Sequence, residues 1–345
     1  MKTYCKESAF FLTIVFSSIV SISYAQSYET SATQKKSAFQ WPEGKKMGLS
    51  LTFDDARLSH VDKGIPLLDK YGVKATFYVS PGNMVKRLER WKSAVSNGHD
   101  IGNHSIVHPC SGNSAFLSSR DEALENYTLE QMSMELDSAN KLLKNILGIR
   151  PLSFAYPCGQ KYVGRGMVTK SYVPLITSMF ETGRGFLDET PVDPAFCDMA
   201  QLTGMELDGK SFDQVKKIIE SAKKEGQWLI FTGHEINVGG NQTSLLPVIE
   251  AICQYASDPA NGIWLDNVHN IASYVKEKRG EKPFSETPIY TNSSYPVKQR
   301  IDDLISRMTL EEKVDQLNMP CLYNEELGSR IEKKLEGCRK FDQYM

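Results

Sequence analysis

Three short stretches of this chain carry residues whose types and spacing suit chemistry. The first is Thr52-Phe53-Asp54-Asp55-Ala56. Two adjacent carboxylates are costly to bury, because like charges repel and desolvation raises a carboxyl pKa. A metal ion or a catalytic task relieves that cost, and a solvated Asp-Asp turn capping a helix is the plain alternative. The second stretch runs from His99 to Pro109 and holds His104 and His108 with three residues between them. That spacing lets two imidazoles converge on one ion from a helical turn or a tight loop. The alternative is a pair of hydrogen-bonded loop histidines. One carboxylate with two imidazoles is a catalytic zinc set that leaves positions open for water and substrate. The third stretch is Trp228-Leu229-Ile230-Phe231-Thr232-Gly233-His234. A histidine one Gly beyond an apolar run can act as general acid, since its ordinary pKa lies near neutrality. His60, His99 and His269 are left as core or rim histidines without a task.

The elements around these stretches alternate in type. Strands are expected over Met47–Phe53, Lys74–Ser80, His99–Asn103, Leu152–Tyr156, Tyr172–Thr177, Trp228–Thr232 and Ile263–Leu265. Helices are expected over Val61–Tyr71, Lys86–Asn97, Thr128–Leu147, Ser211–Lys224, Leu245–Ala256 and Val268–Lys278. Gly98 and Gly148 stand where helices stop, and Ser211 where one starts. Strands alternating with helices argue for βα units and a parallel sheet. About seven units over about 230 residues suit a barrel better than an open sheet, with chemistry where strands end and loops begin.

Composition narrows the function classes. The 345 residues carry 40 basic and 42 acidic side chains, a net charge of −2, with 41% hydrophobic and 24% charged residues. Disorder throughout, collagen-like repeats and a polytopic membrane protein are disfavoured. A generic nucleic-acid binder is disfavoured too, because no basic excess exists to neutralise phosphates. Residues 1–25 read as an export signal: two lysines by Lys6, an apolar core from Ala9 to Val20, and Ser23-Tyr24-Ala25 before the cut. That core is short for a membrane span of about 20 residues. Residues 26–46 are polar and read as a linker. Export permits disulfides among Cys110, Cys158, Cys197, Cys253, Cys321 and Cys338. No C-x-x-C pair supports a cysteine zinc site.

With the motifs T-F-D-D, H-S-x-x-H and L-x-x-x-x-H in this order, residues 47–280 resemble the polysaccharide deacetylase family. This is the NodB homology domain of carbohydrate esterase family 4. The resemblance implies a distorted (β/α)7 barrel holding one divalent metal ion, usually zinc, through Asp55, His104 and His108. It implies Asp54 as general base on the attacking water and His234 as general acid on the leaving group. The substrate implied is an acetylated polysaccharide or oligosaccharide, N-acetyl or O-acetyl. Substrate contacts are expected from Tyr156, Pro157 and Gly159. Two departures stand out. Ala155 occupies the place of an arginine that orients the base, and Cys158 that of a tyrosine. Arg150, Arg165 and Arg184 are the candidates to replace the arginine. Asp188, Asp193 and Asp198 are the candidates to support His234. The loops of Cys110 and Cys158 both face the metal on this reading, which puts a disulfide between them within geometric reach.

Residues 281–294 read as a second linker. From Tyr295 to Leu317 the chain resembles the N-terminal opening of glycoside hydrolase family 3, and residues 295–345 are expected to be a truncated fragment of it. An amphipathic helix is expected over Val297–Met308, followed by a capping box from Thr309 to Glu312. Such a piece alone is expected to pack poorly. The leading reading is an exported metal-dependent carbohydrate deacetylase. A glycoside hydrolase and a non-catalytic carbohydrate-binding relic, the latter motivated by Ala155, stand as alternatives.

Overall fold

The computed structural model describes residues 39–117, 119–284, 288–291, 295–310 and 313. The elements below lie within Trp41–Met345. The export signal, Cys321, Cys338 and the Glu312 end of the capping box lie outside the described residues.

Eight strands form one parallel sheet. They are β1 (Met47–Phe53), β2 (Thr76–Val79), β3 (Asp100–Asn103), β4 (Ser153–Ala155), β5 (Thr182–Arg184), β6 (Met205–Glu206), β7 (Trp228–Gly233) and β8 (Ile263–Leu265). Their spatial order is β5-β4-β3-β2-β1-β7-β6, with β8 paired to the first residues of β1. The sheet curls back towards its own start. Just before β6, the Leu202 N–H donates to the Gly183 carbonyl and the Gly185 N–H donates to the Leu202 carbonyl, both at 2.8 Å. This is a parallel half-barrel, as the alternation predicts, and it matches the (β/α)7 type that the resemblance implies.

Strand β1 is buried on both faces, as a parallel strand covered by helices must be. Its two faces differ in chemistry. Met47, Leu49, Leu51 and Phe53 enter the larger apolar cluster with residues of the surrounding helices. The alternate positions, Ser50 and Thr52, are buried polar groups that find partners. The Trp228 indole N–H donates to Ser50 Oγ at 3.1 Å, and Thr52 Oγ1 donates to the Phe231 carbonyl at 2.7 Å. The period of two that sorts these faces puts Asp54 on the polar side, at the strand's C-terminal end.

The helices follow their local signals. Helix α1 (Ile65–Lys70) is preceded by a π-turn over His60–Gly64, so the helix expected over Val61–Tyr71 starts in a wider winding. Helix α2 (Leu88–Ser96) follows a 3₁₀ turn, and Gly98 takes φ +87° beyond it. In helix α3 (Leu129–Leu147), Thr128 and Gln131 complete a capping box and Gly148 stops the helix at φ +74°. Residues Tyr172–Thr177, expected as a strand, instead open helix α4 (Val173–Met179). Pro174 sits in the first turn, where its missing N–H costs nothing, and Leu175, Ile176 and Met179 bury one helical face. The strand of this unit is β5, whose three residues include a glycine and an arginine, too short and too polar to show a pattern. Helices α5 (Phe212–Lys224), α6 (Leu246–Ser257) and α7 (Val268–Lys278) lie where expected, the first with Ser211 and Gln214 as a capping box. No described helix is long and apolar enough to cross a membrane.

The first expected linker contains an anchored residue, and so does the chain just after the second. Trp41 closes the N-terminal end of the barrel: its indole N–H donates to the Gly226 carbonyl at 2.8 Å, and its ring stacks on Tyr274 at 6.4 Å. A Cβ on Gly48 would lie 2.8 Å from that ring, so glycine there makes room for the plug. The fold therefore begins before Met47. At the other end Tyr295 is buried in the second apolar cluster, its hydroxyl 2.9 Å from that of Ser178. Helix α8 (Val297–Arg307) follows, and Ser133 donates to Gln299 Oε1 at 2.8 Å. Tyr295 thus anchors the opening of the tail on the barrel, an aromatic contact that helix periodicity alone does not reveal, while the apolar side chains Val297, Ile301, Leu304 and Ile305 of α8 stay exposed. Trp41→Ala should cost about 3–5 kcal/mol of folding stability, the range for deleting a large buried aromatic. Chemical denaturation checks this, and an unchanged midpoint would return Trp41 to the linker.

Candidate active site

The C-terminal ends of the strands surround a cleft of about 570 Å³, whose lining includes Asp54, Asp55, His104, His108 and His234. They arrive from the ends of three strands: Asp54 and Asp55 after β1, His104 and His108 after β3, and His234 after β7. Five cleft-lining residues that are not glycine hold left-handed backbone: Asp55 (φ 75°), His108 (φ 53°), Cys158 (φ 54°), Leu187 (φ 56°) and Gln242 (φ 45°). Such backbone costs on the order of 1–3 kcal/mol per residue and persists only where surrounding bonds impose it.

Those bonds are visible around the histidine pair. Asn103, at the end of β3, is held by α3 through the Leu136 carbonyl at 3.1 Å and Asn140 Oδ1 at 2.8 Å. Its own Oδ1 accepts from the Ser105 N–H at 2.6 Å. Glu135, next to Leu136 on α3, accepts from the N–H groups of Ile106 and Val107, both at 2.8 Å. The Ser105 hydroxyl oxygen then accepts from the His108 N–H at 3.1 Å. A disulfide joins Cys110 to Cys158, as the sequence put within reach, and ties this loop to the one after β4.

Nε2 of His104 and of His108 lie 3.6 and 3.8 Å from Asp55 Oδ1, and the three ligand atoms fall within 4.8 Å of one another. Nδ1–H of His104 donates to the Ala155 carbonyl at 3.0 Å, so in the neutral ring Nε2 keeps its lone pair for the cleft. Burial, followed by the neighbouring His104 charge, pushes His108 down to about 4 and keeps its imidazole neutral. Burial would raise the Asp55 pKa, but the two histidines and Arg57 together hold it well below the usual carboxylate range. Arg57 grips the other oxygen, Oδ2, through Nε at 3.1 Å and Nη2 at 2.8 Å. An anionic oxygen and two imidazole nitrogens facing one point fit a divalent cation.

Asp54 and His234 each have a buried partner. Arg184 Nη2 donates to Asp54 Oδ1, and both side chains are withdrawn from solvent. Of the three candidate arginines, this is the one at the site. It stands in register with Ala155 on the adjacent strand, so the guanidinium comes from β5 where the resemblance implies one on β4. The Arg184 guanidinium lies 4.7 Å over the ring of Tyr78 and also donates to the Gly185 carbonyl at 2.8 Å. Two glycines make room for this stack. A Cβ on Gly102 would lie 2.4 Å from the Tyr78 ring, and one on Gly204 would lie 2.5 Å from Arg184 Cδ.

The partner of His234 is Asp208, which lies outside the three aspartates expected. Nδ1–H of His234 donates to Asp208 Oδ2 at 2.7 Å, and its backbone N–H donates to Oδ1 at 3.2 Å. Ser244 also donates to Oδ1 at 2.7 Å. Gly233 permits this approach, since a Cβ there would lie 2.0 Å from Ser244 Oγ. Burial would lower the His234 pKa, yet the Asp208 bond and the charges of Asp54, Asp208 and Asp55 raise it above the ordinary value. His60, fully buried in the π-turn, fixes the same residue from behind: its Nε2 lies 2.6 Å from the His234 carbonyl. Burial pushes His60 down to about 4, so it serves as a neutral donor. His99 and His269 pair with Asp69 and Glu181 and take no part in the cleft.

The loop after β4 departs from expectation. Tyr156 is buried in the second cluster, its hydroxyl donating to the Ala200 carbonyl at 2.8 Å, and Pro157 is buried beside it. Neither lines the cleft, because the chain turns there and presents Cys158 and Gln160 instead. Gly159 lines an adjoining groove. Of the three substrate contacts expected, the first two are therefore core residues.

Residues 42–170 match the polysaccharide deacetylase family model. The chain is 32% identical over 120 residues to the peptidoglycan-N-acetylmuramic acid deacetylase PdaA of Bacillus subtilis. That match covers 34% of this chain and 40% of the relative. It is 33% identical over 101 residues to the uncharacterized protein YlxY of the same organism, covering 29% of this chain and 27% of the relative. This chain thus spans less than half the length of either. A crystal structure from Mycobacterium smegmatis assigned to the polysaccharide deacetylases superposes with a TM-score of 0.52 at 16% identity. It covers 72% of this chain and 96% of that one, and shares the fold. A polysaccharide deacetylase domain is thereby supported, and its matched segment contains Asp54, Asp55, His104 and His108.

Two outcomes test the pairs. Arg184→Met should cost about 3–5 kcal/mol in chemical denaturation, since it strands a buried carboxylate. Adding Asp54→Asn should then cost less than the two single effects combined. Asp208→Asn should lower the His234 pKa in an NMR titration of its ring, and an unchanged titration would remove Asp208 from this account.

Proposed function

We propose that this protein is an exported, metal-dependent deacetylase that hydrolyses acetyl groups from a carbohydrate polymer. What carries the reading is the convergence in one cleft of three sets: Asp55 with His104 and His108, Asp54 with Arg184, and His234 with Asp208. No simple structural role calls for all three at one barrel mouth.

Asp55 Oδ1 and the Nε2 atoms of His104 and His108 would hold the divalent ion, and this donor set suits zinc. When bound, such an ion supplies Lewis acidity, polarising the acetyl carbonyl and making water easier to deprotonate. Asp54, oriented by Arg184, accepts the proton of the water that attacks the carbonyl carbon. His234 has Nδ1 committed to Asp208, so Nε2 carries the transferable proton. It delivers that proton to the departing sugar nitrogen or oxygen, so neither an amide anion nor an alkoxide has to leave. The reaction yields acetate and a free amine or hydroxyl. The same attack serves N-acetyl and O-acetyl groups.

Residues 1–25 are read as the export signal, which directs the chain to the periplasm or the exterior. The disulfide beside the site suits an oxidising compartment. The deacetylase domain is read as running from Trp41 to residue 280. Residues 295–345 keep their resemblance to glycoside hydrolase family 3 and are given no catalytic role.

With zinc supplied, the protein should release acetate from N-acetylglucosamine oligomers or acetylated xylan, and lose this with His104→Ala or a chelator. The general acid works protonated, so activity should fall as pH rises through the raised His234 pKa. Asp208→Asn should move that alkaline limb to lower pH. Acetate release that survives both His104→Ala and chelation would overturn the reading.

A further inference from the structure

Two sulfurs stand directly behind the cation-binding residues. His108 turns Nε2 towards Asp55, and its other ring nitrogen, Nδ1, lies 3.5 Å from Cys110 Sγ. The possible ligand atoms of His108, Cys110 and Cys158 fall within 4.8 Å of one another. We propose that reducing the Cys110–Cys158 disulfide opens a second metal site, built from the two thiolates and His108 Nδ1, which takes a soft divalent ion away from the Asp55–His104–His108 set. The disulfide is then a redox switch on where the metal sits. The competition rests on the metal reading of the first set, whereas the sulfur site stands on its own residues.

The competition turns on one ring. A neutral imidazole offers a lone pair at one nitrogen and carries its proton on the other. When His108 ligates through Nδ1, the proton sits on Nε2 and the ring offers no donor on the Asp55 side. The first set is then reduced to Asp55 and His104. Thiolates are soft donors that favour zinc and cadmium, while carboxylates suit harder ions. With the disulfide closed, neither sulfur is a thiolate, and Nε2 is the nitrogen that serves the ion.

The loops stay together once the disulfide opens. The Ser111 N–H donates to Gln160 Oε1 at 2.6 Å, a clamp that does not involve sulfur. The Leu124 N–H donates to the Cys110 carbonyl and the Gly159 N–H to the Tyr156 carbonyl, both at 2.9 Å. The two cysteine Cα atoms are 5.9 Å apart, close enough for both side chains to turn onto one ion. Reduction also has a route, because Cys158 lines the cleft while Cys110 is buried. The thiolate of a dithiol attacks Cys158 Sγ, breaking the S–S bond and releasing the Cys110 sulfur. The second thiol of the reductant then closes its own disulfide and frees Cys158. Two electrons and two protons pass to the cysteine pair. Each cysteine gives up its proton as it ligates the metal.

The test follows the metal itself. Full-length protein stripped of metal is titrated with cadmium, both oxidised and after treatment with a water-soluble phosphine. The phosphine delivers two electrons to the disulfide, takes oxygen from water and ends as phosphine oxide, and the two protons of that water go to the cysteines. Oxidised protein should bind cadmium without a sulfur-to-metal charge-transfer band. Reduced protein should show that band and bind about tenfold more tightly or better. Bound cadmium should shield Cys110 and Cys158 from alkylation, while the other thiols react as they do without metal. In nitrogen NMR the cadmium should sit on His108 Nε2 in the oxidised protein and on Nδ1 in the reduced one. Cys158→Ser should at least halve the band. No band on reduction, no shielding of the pair, or cadmium still on Nε2 after reduction would overturn the switch. Oxidised protein that binds no cadmium would overturn it too, since no first site would exist to be emptied. If the switch behaves as expected but the oxidised, zinc-loaded protein releases no acetate, the deacetylase reading fails and the sulfur site stands.

Discussion

The buried pairing of Asp54 with Arg184 is the constraint around which the barrel mouth is organised. Arg184 is sealed from solvent and Asp54 shows only a sliver of its carboxylate to the cleft, so each depends on the other for charge compensation. The guanidinium is held in place by the Tyr78 face below it and the Gly185 carbonyl beside it. That stack is possible only because Gly102 and Gly204 carry no side chain. Four positions on four segments are thus set by one ion pair. The polar lining of the barrel, which looks wasteful beside the apolar cluster outside it, is the environment this pair requires.

Around that pair the loops are held under strain. Left-handed residues gather at the cleft, and each loop that bears one is tied to a neighbour. The histidine loop hangs from α3 through Glu135 and Asn103 and is stitched to the following loop by the disulfide. His234 is held at its ring and backbone N–H by Asp208 and at its carbonyl by His60. Rigidity of this kind gives a site its geometry before substrate arrives, which is where much of catalytic preorganisation resides.

What was legible in the sequence follows from range. Asp54, Asp55, His104, His108 and His234 are visible because each sits at a fixed offset from a strongly patterned strand. Helices such as α3 and α5 are legible because cap and periodicity agree. Asp208 lacked such a signal: it follows a two-residue strand, and its meaning comes from Ser244 and His234, which lie far along the chain. Arg184 was one arginine among three until the register of β5 against β4 singled it out. Tyr156 looked like a site residue by its neighbours, yet the turn after β4 sends it into the core. The opening of α4 reads as a strand because Tyr172 and Val173 favour strands, whereas Pro174 and the spacing of the buried residues after it favour a helix.

The register of Ala155 with Arg184 carries an evolutionary consequence. If relatives keep the arginine on the fourth strand, as the resemblance implies, then a lineage moving it to the fifth must pass through a sequence with two arginines or with none. Two would press like charges together beside one carboxylate, and none would leave that carboxylate buried alone. Both intermediates are handicapped, so the exchange resists gradual reversal. The two arrangements should therefore persist as separate branches of descent. A motif written along one strand would mistake the second branch for an enzyme in decay, while the barrel's cross-section would show the same cation in the same layer.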